Sequence, residues 1–79
     1  MTLFIHTYDD NLIIEISVER YNELLNDFDC EVTCEDIETR IEYAKSNDSE
    51  VLLDFFKTIN TKRTIVMHFD SEFDVYIAL

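Results

Sequence analysis

The sequence contains no glycine and no proline. At average usage, a chain of 79 residues carries roughly five or six glycines and about four prolines. Their absence excludes whole chemistries. Phosphate-cradling loops, dinucleotide-binding turns and the nucleophile elbow of hydrolases need glycine where the backbone turns sharply or approaches a ligand closely. Most familiar enzyme classes go with them. Cations are scarce too: six Lys and Arg stand against 18 Asp and Glu, a formal charge of −12. Contact with DNA, RNA or anionic lipid requires cations, so none of these is an expected direct partner. No run approaches the roughly 20 apolar residues of a membrane span. No basic segment followed by an apolar stretch reads as a secretory signal. The expected compartment is the cytoplasm. Cys30 and Cys34 are too few for a disulfide framework and fit a reducing setting.

What the chain does hold is material for a core. Hydrophobic residues make up 47% of it, with six Phe and four Tyr, which separates it from a disordered acidic tail. Its length suits one small domain, residues 1–79, because two would leave each half too short to bury a core.

Residues 2–8 are rich in β-formers. Asp9-Asp10-Asn11 reads as a tight turn, with Asn11 the natural left-handed residue in a chain without glycine. Leu12, Ile14, Ile16 and Val18 then alternate with Ile13, Glu15 and Ser17, the period of a strand. Tyr21, Leu24, Leu25 and Phe28 fall on the stripe of a short helix. Thr33 followed by Asp36 approximates a capping box, predicting a second helix from there with Cys34, Ile37, Ile41 and Ala44 buried. A polar break at Ser46–Ser49 precedes a third helix with Leu52, Phe55, Phe56 and Ile59 inward. Two further strands follow, with Ile65, Met67 and Phe69 on one face of the first and Phe73, Val75, Ile77 and Leu79 on one face of the second. The order is ββαααββ. It predicts an α+β fold with a four-stranded, mostly antiparallel sheet and short helices packed on one face. Ile13, Val66, His68 and Tyr76 would then point away from the helices, beside Ala78 and Phe4 or Tyr8. Such a half-apolar sheet face suits a homodimer contact.

The strongest polar signal is acidic. Residues 23–42 hold Glu23, Asp27, Asp29, Glu31, Glu35, Asp36, Glu38 and Glu42 against Arg40 alone. On a second helix starting at Thr33, Glu35, Glu38 and Glu42 share one side, with neighbours about 5–6 Å apart between Cβ atoms. That is of the same order as the ~3.4 Å rise per nucleotide of a nucleic-acid strand. Acids crowded without interleaved lysine repel one another and cost stability. The candidate partner-binding residues are therefore Asp27, Asp29, Glu31, Glu35, Asp36, Glu38 and Glu42, with Tyr43 as an aromatic anchor. The plainer reading of the same acids is a solvated surface that keeps the protein soluble.

Other constellations carry less. Cys30, Cys34, His6 and His68 match no zinc-ligand spacing, and both histidines are expected on the outer sheet face. Asp70, Glu72 and Asp74 lack the glycine of a calcium-binding loop and read as a hairpin turn with its acids toward water. No spacing argues for a nucleophile paired with a base. Neither a catalytic residue, a metal nor a cofactor is expected.

A short, compact, glycine-poor chain with an acidic stretch from Glu23 to Glu42 resembles the small anti-defence proteins of bacteriophages, notably anti-CRISPR proteins and other DNA mimics. The resemblance is one of class, resting on size and charge, and assigns no residue a role. It implies a non-enzymatic inhibitor that occupies the basic nucleic-acid groove of a nuclease or CRISPR-type defence complex, in the host cytoplasm if phage-encoded. The same features resemble immunity proteins and nuclease inhibitors, which cover a basic site with carboxylates. The alternative is a homo-oligomeric adaptor module that uses its outer sheet face, with the acids serving solubility.

Overall fold

A computed structural model of the chain describes residues 1–28, 33–69 and 72–79. Strands β1 (Thr2–Thr7) and β2 (Leu12–Ile16) form the first hairpin. Its turn passes through Asn11 at φ 51°, the left-handed region that asparagine enters most readily after glycine. Helix α1 (Val18–Asp27) follows at once, capped where the Ser17 hydroxyl accepts the Arg20 amide. Val18 therefore opens a helix and does not extend the strand.

Thr33 does not open a helix. Residues Thr33–Glu35 form a short strand, β3, and helix α2 (Ile37–Ser46) starts behind Asp36. The Asp36 carboxylate accepts the Glu38 amide at 3.2 Å, so the N-cap falls three residues later than the Thr33 spacing implied. Glu35 is accordingly off the helix, and the expected Glu35–Glu38–Glu42 row does not form. Helix α3 (Glu50–Thr58) follows a turn through Asp48 at φ 50°. Strands β4 (Thr64–Phe69) and β5 (Phe73–Ala78) complete the chain.

All pairings are antiparallel, in the order β2-β1-β5-β4-β3. The α+β class and the ββαααββ order hold, with β3 added as a fifth strand at one edge.

The helices, however, cover both faces. One core joins Leu3, Ile5, Phe69, Phe73 and Val75 of the sheet to Leu24 of α1, with Tyr21 packed against them. The other joins Val66 and Tyr76 to Ala44 of α2 and to Leu52 and Phe56 of α3, with Phe4, Ile13, Ile37, Ile41 and Phe55 alongside. The expectation of helices on one face is therefore corrected. The supposed outer face lies beneath α2 and α3: Val66 and Tyr76 are fully buried, Ile13 is half-buried and His68 partly so. A homodimer through Ile13, Val66, His68 and Tyr76 is sterically closed. The reason is aromatic packing. Phe55 contacts Phe4 and Tyr76 with ring centroids 5.0 and 5.2 Å apart, and Phe56 meets Tyr76 at 5.8 Å. Together these rings bury far more apolar area than a solvated sheet face could recover.

Candidate functional site

Of the residues read as partner-binding, Asp36, Glu38, Glu42 and Tyr43 stand exposed on and beside α2. Asp27 is exposed at the end of α1, on the opposite side of the sheet. Asp29 and Glu31 lie outside the described residues, as do Cys30 and Asp70. The backbones of Cys34 and Glu35 are in β3, but their side chains are not described. The acidic run is therefore divided between two layers. The α2–α3 layer gathers Asp36, Glu38, Glu42, Asp48, Glu50 and Asp54, all exposed, with Lys45 and Lys57 as its exposed cations and exposed Lys62 lining a cleft beside Asp36 and Glu38. Lys57 approaches Asp54 at 3.8 Å. Among the described residues no cation pairs with Glu38, Glu42, Asp48 or Glu50.

The third cation of that layer, Arg40, is turned inward. Its guanidinium meets Asp74 Oδ2 at 2.5 Å, with both side chains almost fully buried. The other oxygen, Oδ1, accepts the Tyr8 hydroxyl at 2.5 Å and the His68 Nδ1–H at 2.6 Å. Register explains the convergence: His6, Asp74 and His68 are direct cross-strand partners on β1, β5 and β4, so all three project to the α2–α3 side. Asp74 is thus no solvent-facing hairpin acid; it is 0% exposed. Burial and the hydrogen bond to the Asp74 carboxylate push the Tyr8 hydroxyl far above its ordinary range, because a phenolate there would be desolvated beside a negative charge. Burial opposes the charge on Arg40, but Tyr76 and Asp74 outweigh it and its pKa is raised.

An Asp–His pair orients a catalytic base when a nucleophile lies within reach. Here both hydrogen-bond contacts of His68, to Tyr8 and to Asp74, are made at Nδ1. The cluster satisfies a buried charge, since Asp74 without Arg40 would be an uncompensated buried carboxylate. Among the described residues, no three His, Cys, Asp or Glu side chains are placed to hold a metal ion.

Above this cluster lies an open cavity of about 500 Å³ between the β1–β2 turn and the α2–α3 turn. Tyr8, Tyr43, Asn47, Asp48 and Glu50 are among its walls, and His6 also lines it. His6 is 3% exposed, against the expectation of an outer-face histidine. Its Nε2 donates to Asn11 Oδ1 at 2.8 Å, while Nδ1 has no hydrogen-bond partner.

Sequence reasoning missed Asp74, Arg40 and His6 as a set. The strand parity that places Asp74 beside Tyr76 and His68 was legible. So was the isolation of Arg40 among acids. Together they would have matched Arg40 to Asp74, the inward carboxylate among the described residues.

Comparisons with protein-family models, with characterised proteins and with solved structures find no match to this chain. Among the described residues, no helix is long and apolar enough to cross a membrane.

Proposed function

We propose that this is a non-enzymatic binding protein that docks its α2–α3 layer onto a basic, nucleic-acid-binding groove of a nuclease or defence complex. The observation that carries the reading is the set of exposed acids at Asp36, Glu38, Glu42, Asp48, Glu50 and Asp54, on and beside two adjacent helices, against exposed Lys45, Lys57 and Lys62. A groove lined for phosphates offers the complementary field, which speeds encounter and weakens as salt rises. Carboxylates held on a folded scaffold bind with little ordering cost. The resemblance to small anti-defence and nuclease-inhibitor proteins supports the same role, and a cytoplasmic setting belongs to it.

Affinity capture from a bacterial lysate at low salt, eluted in a salt gradient, tests it with two charge reversals side by side. Wild type should retain one basic nucleic-acid-binding protein that competing DNA or RNA displaces. Glu38→Lys with Glu42→Lys should lose it, while Glu19→Lys with Glu23→Lys on α1 should keep it. Equal loss in both variants, or a diffuse set of basic proteins, would leave the acids as a solubility device.

A further inference from the structure

We infer that the free edge of strand β2 is a docking strip for an extended segment of a partner protein, one that alternates apolar residues with lysine or arginine and pairs with β2 as an added strand. This surface is separate from the α2–α3 layer and does not rest on the docking reading of that layer. The two edges of the sheet are built differently. β3 closes one edge with three residues, and so short a strand offers little to pair with. β2 forms the other edge with five, Leu12–Ile16. Its register with β1 runs unbroken over all five, so no bulge turns the edge aside. The strand carries neither lysine nor proline. Bulges, lysines and prolines are the devices that commonly keep a sheet edge from pairing. With β1 on one side and no strand on the other among the described residues, β2 leaves alternate backbone N–H and C=O groups pointing outward.

Side chains decide which segment fits. Leu12, Ile14 and Ile16 stand opposite Thr7, Ile5 and Leu3 on the α1 side of the sheet. Helix α1 leaves Leu12 55% and Ile14 58% exposed. An added strand covers such a row with apolar residues at every second position. At the end of the strand, exposed Met1 and Val18 line a cavity of about 270 Å³ with Ile16, which extends the apolar strip. Glu15 projects to the opposite side of the sheet, exposed and with no cation paired to it among the described residues. Asp9 and Asp10 stand exposed in the turn before β2. Arg20, the cation of α1, is already taken by Glu23 at 2.9 Å. The intervening positions of the segment are therefore suited to lysine or arginine, which a cross-strand carboxylate attracts. A second copy is the poorer occupant. Antiparallel pairing of two β2 strands about Ile14 sets the Asp9–Asp10 turn of each copy toward the Glu19 end of the other, acid against acid, and brings no cation to Glu15.

The test needs no partner protein. Isotope-labelled wild type is titrated with the peptide acetyl-Lys-Val-Lys-Val-Lys-Val-Lys-amide and followed by NMR. Saturable shifts should centre on the amides of Leu12–Ile16. The outward amides of β2 should exchange with solvent about tenfold more slowly in the saturated complex, because they gain a strand partner. The same peptide methylated at every backbone nitrogen keeps its charge but donates no hydrogen bond, and it should not bind. Glu15→Lys should weaken binding about tenfold, since an attractive cross-strand charge pair becomes a repulsive one. Glu15 is exposed, so the variant should fold. Glu38→Lys with Glu42→Lys should leave binding unchanged, which separates this edge from the α2–α3 layer. Equal binding of the methylated peptide would overturn the inference, as would shifts that never saturate or that centre on α2 and α3. So would β2 amides already protected in a concentration-dependent dimer without peptide, which would make a second copy the occupant.

Discussion

The two faces of the sheet solve burial differently. On the α1 side, one ten-residue helix covers a surface that is apolar apart from Thr7 among the described residues. Coverage is incomplete: Leu12 and Ile14 on edge strand β2 remain more than half exposed. On the α2–α3 side, two helices seal a surface that includes a carboxylate and two imidazoles. An apolar face tolerates partial cover, since each exposed methylene costs only its own transfer energy. A buried charge does not, because leaving it unpaired costs several kcal/mol at one point (about 3–5 kcal/mol when a buried pair is broken). The second helical layer therefore brings its own cation, Arg40, to Asp74, and the layer that carries the candidate docking surface is held down by that ion pair.

The sharpest way to break this comparison is Asp74→Ala. It should cost about 3–5 kcal/mol in urea unfolding, since Arg40 would stay buried without its counter-charge. Arg40→Met combined with Asp74→Leu should recover most of the loss, because a well-packed apolar pair replaces buried ions at little cost. A loss under about 1 kcal/mol for Asp74→Ala would mean that the ion pair does not anchor the layer.

Leu24→Ala probes the opposite face. Its expected cost is about 3 kcal/mol, a cavity term with no charge left behind. A loss as large as that of Asp74→Ala, equally recovered by a polar double variant, would erase the distinction between the faces.

Tyr8→Phe removes one donor from Asp74 and should cost about 1–2 kcal/mol. It also carries a pH signature. The folded-state pKa of Tyr8 is raised by burial and by Asp74, so the folded state holds the phenol proton more tightly than the unfolded chain. That stabilisation is complete below the ordinary tyrosine value of about 10 and declines as pH rises beyond it. Wild-type stability should fall on the alkaline side, and the Phe variant should show a flatter limb. Identical alkaline limbs would remove Tyr8 from the network.

The smallest effect is expected on the uncovered edge. Ile14→Thr should change stability by no more than about 0.5 kcal/mol, as for an exposed site, independent of protein concentration. A larger, concentration-dependent loss would show that this edge is covered by self-association in solution.

Much of the fold was legible in the residues. The hairpin turn at Asn11, the stripes of α1 and α3, and the apolar row Ile65, Met67, Phe69 with Phe73, Val75 and Ile77 all follow from spacing and turn chemistry. The start of α2 was misread because Thr33 and Asp36 mimic a capping box, whereas Asp36 itself caps the helix. Of the candidate site, the exposure of Asp36, Glu38, Glu42 and Tyr43 was legible. The cavity was not, because its walls come from residues 6–11 and 43–52, which no local pattern connects.

By itself the sequence determined which residues share a face, because strand parity and helical spacing are properties of the backbone repeat. It also determined the charge and the absence of glycine-dependent chemistry. Only the tertiary structure decided which faces are covered. A strand with apolar residues on both sides alternates in the same way whether one face or two are packed. The choice was made by Phe55, Phe56 and Arg40, which had to find Tyr76 and Asp74 across the sheet.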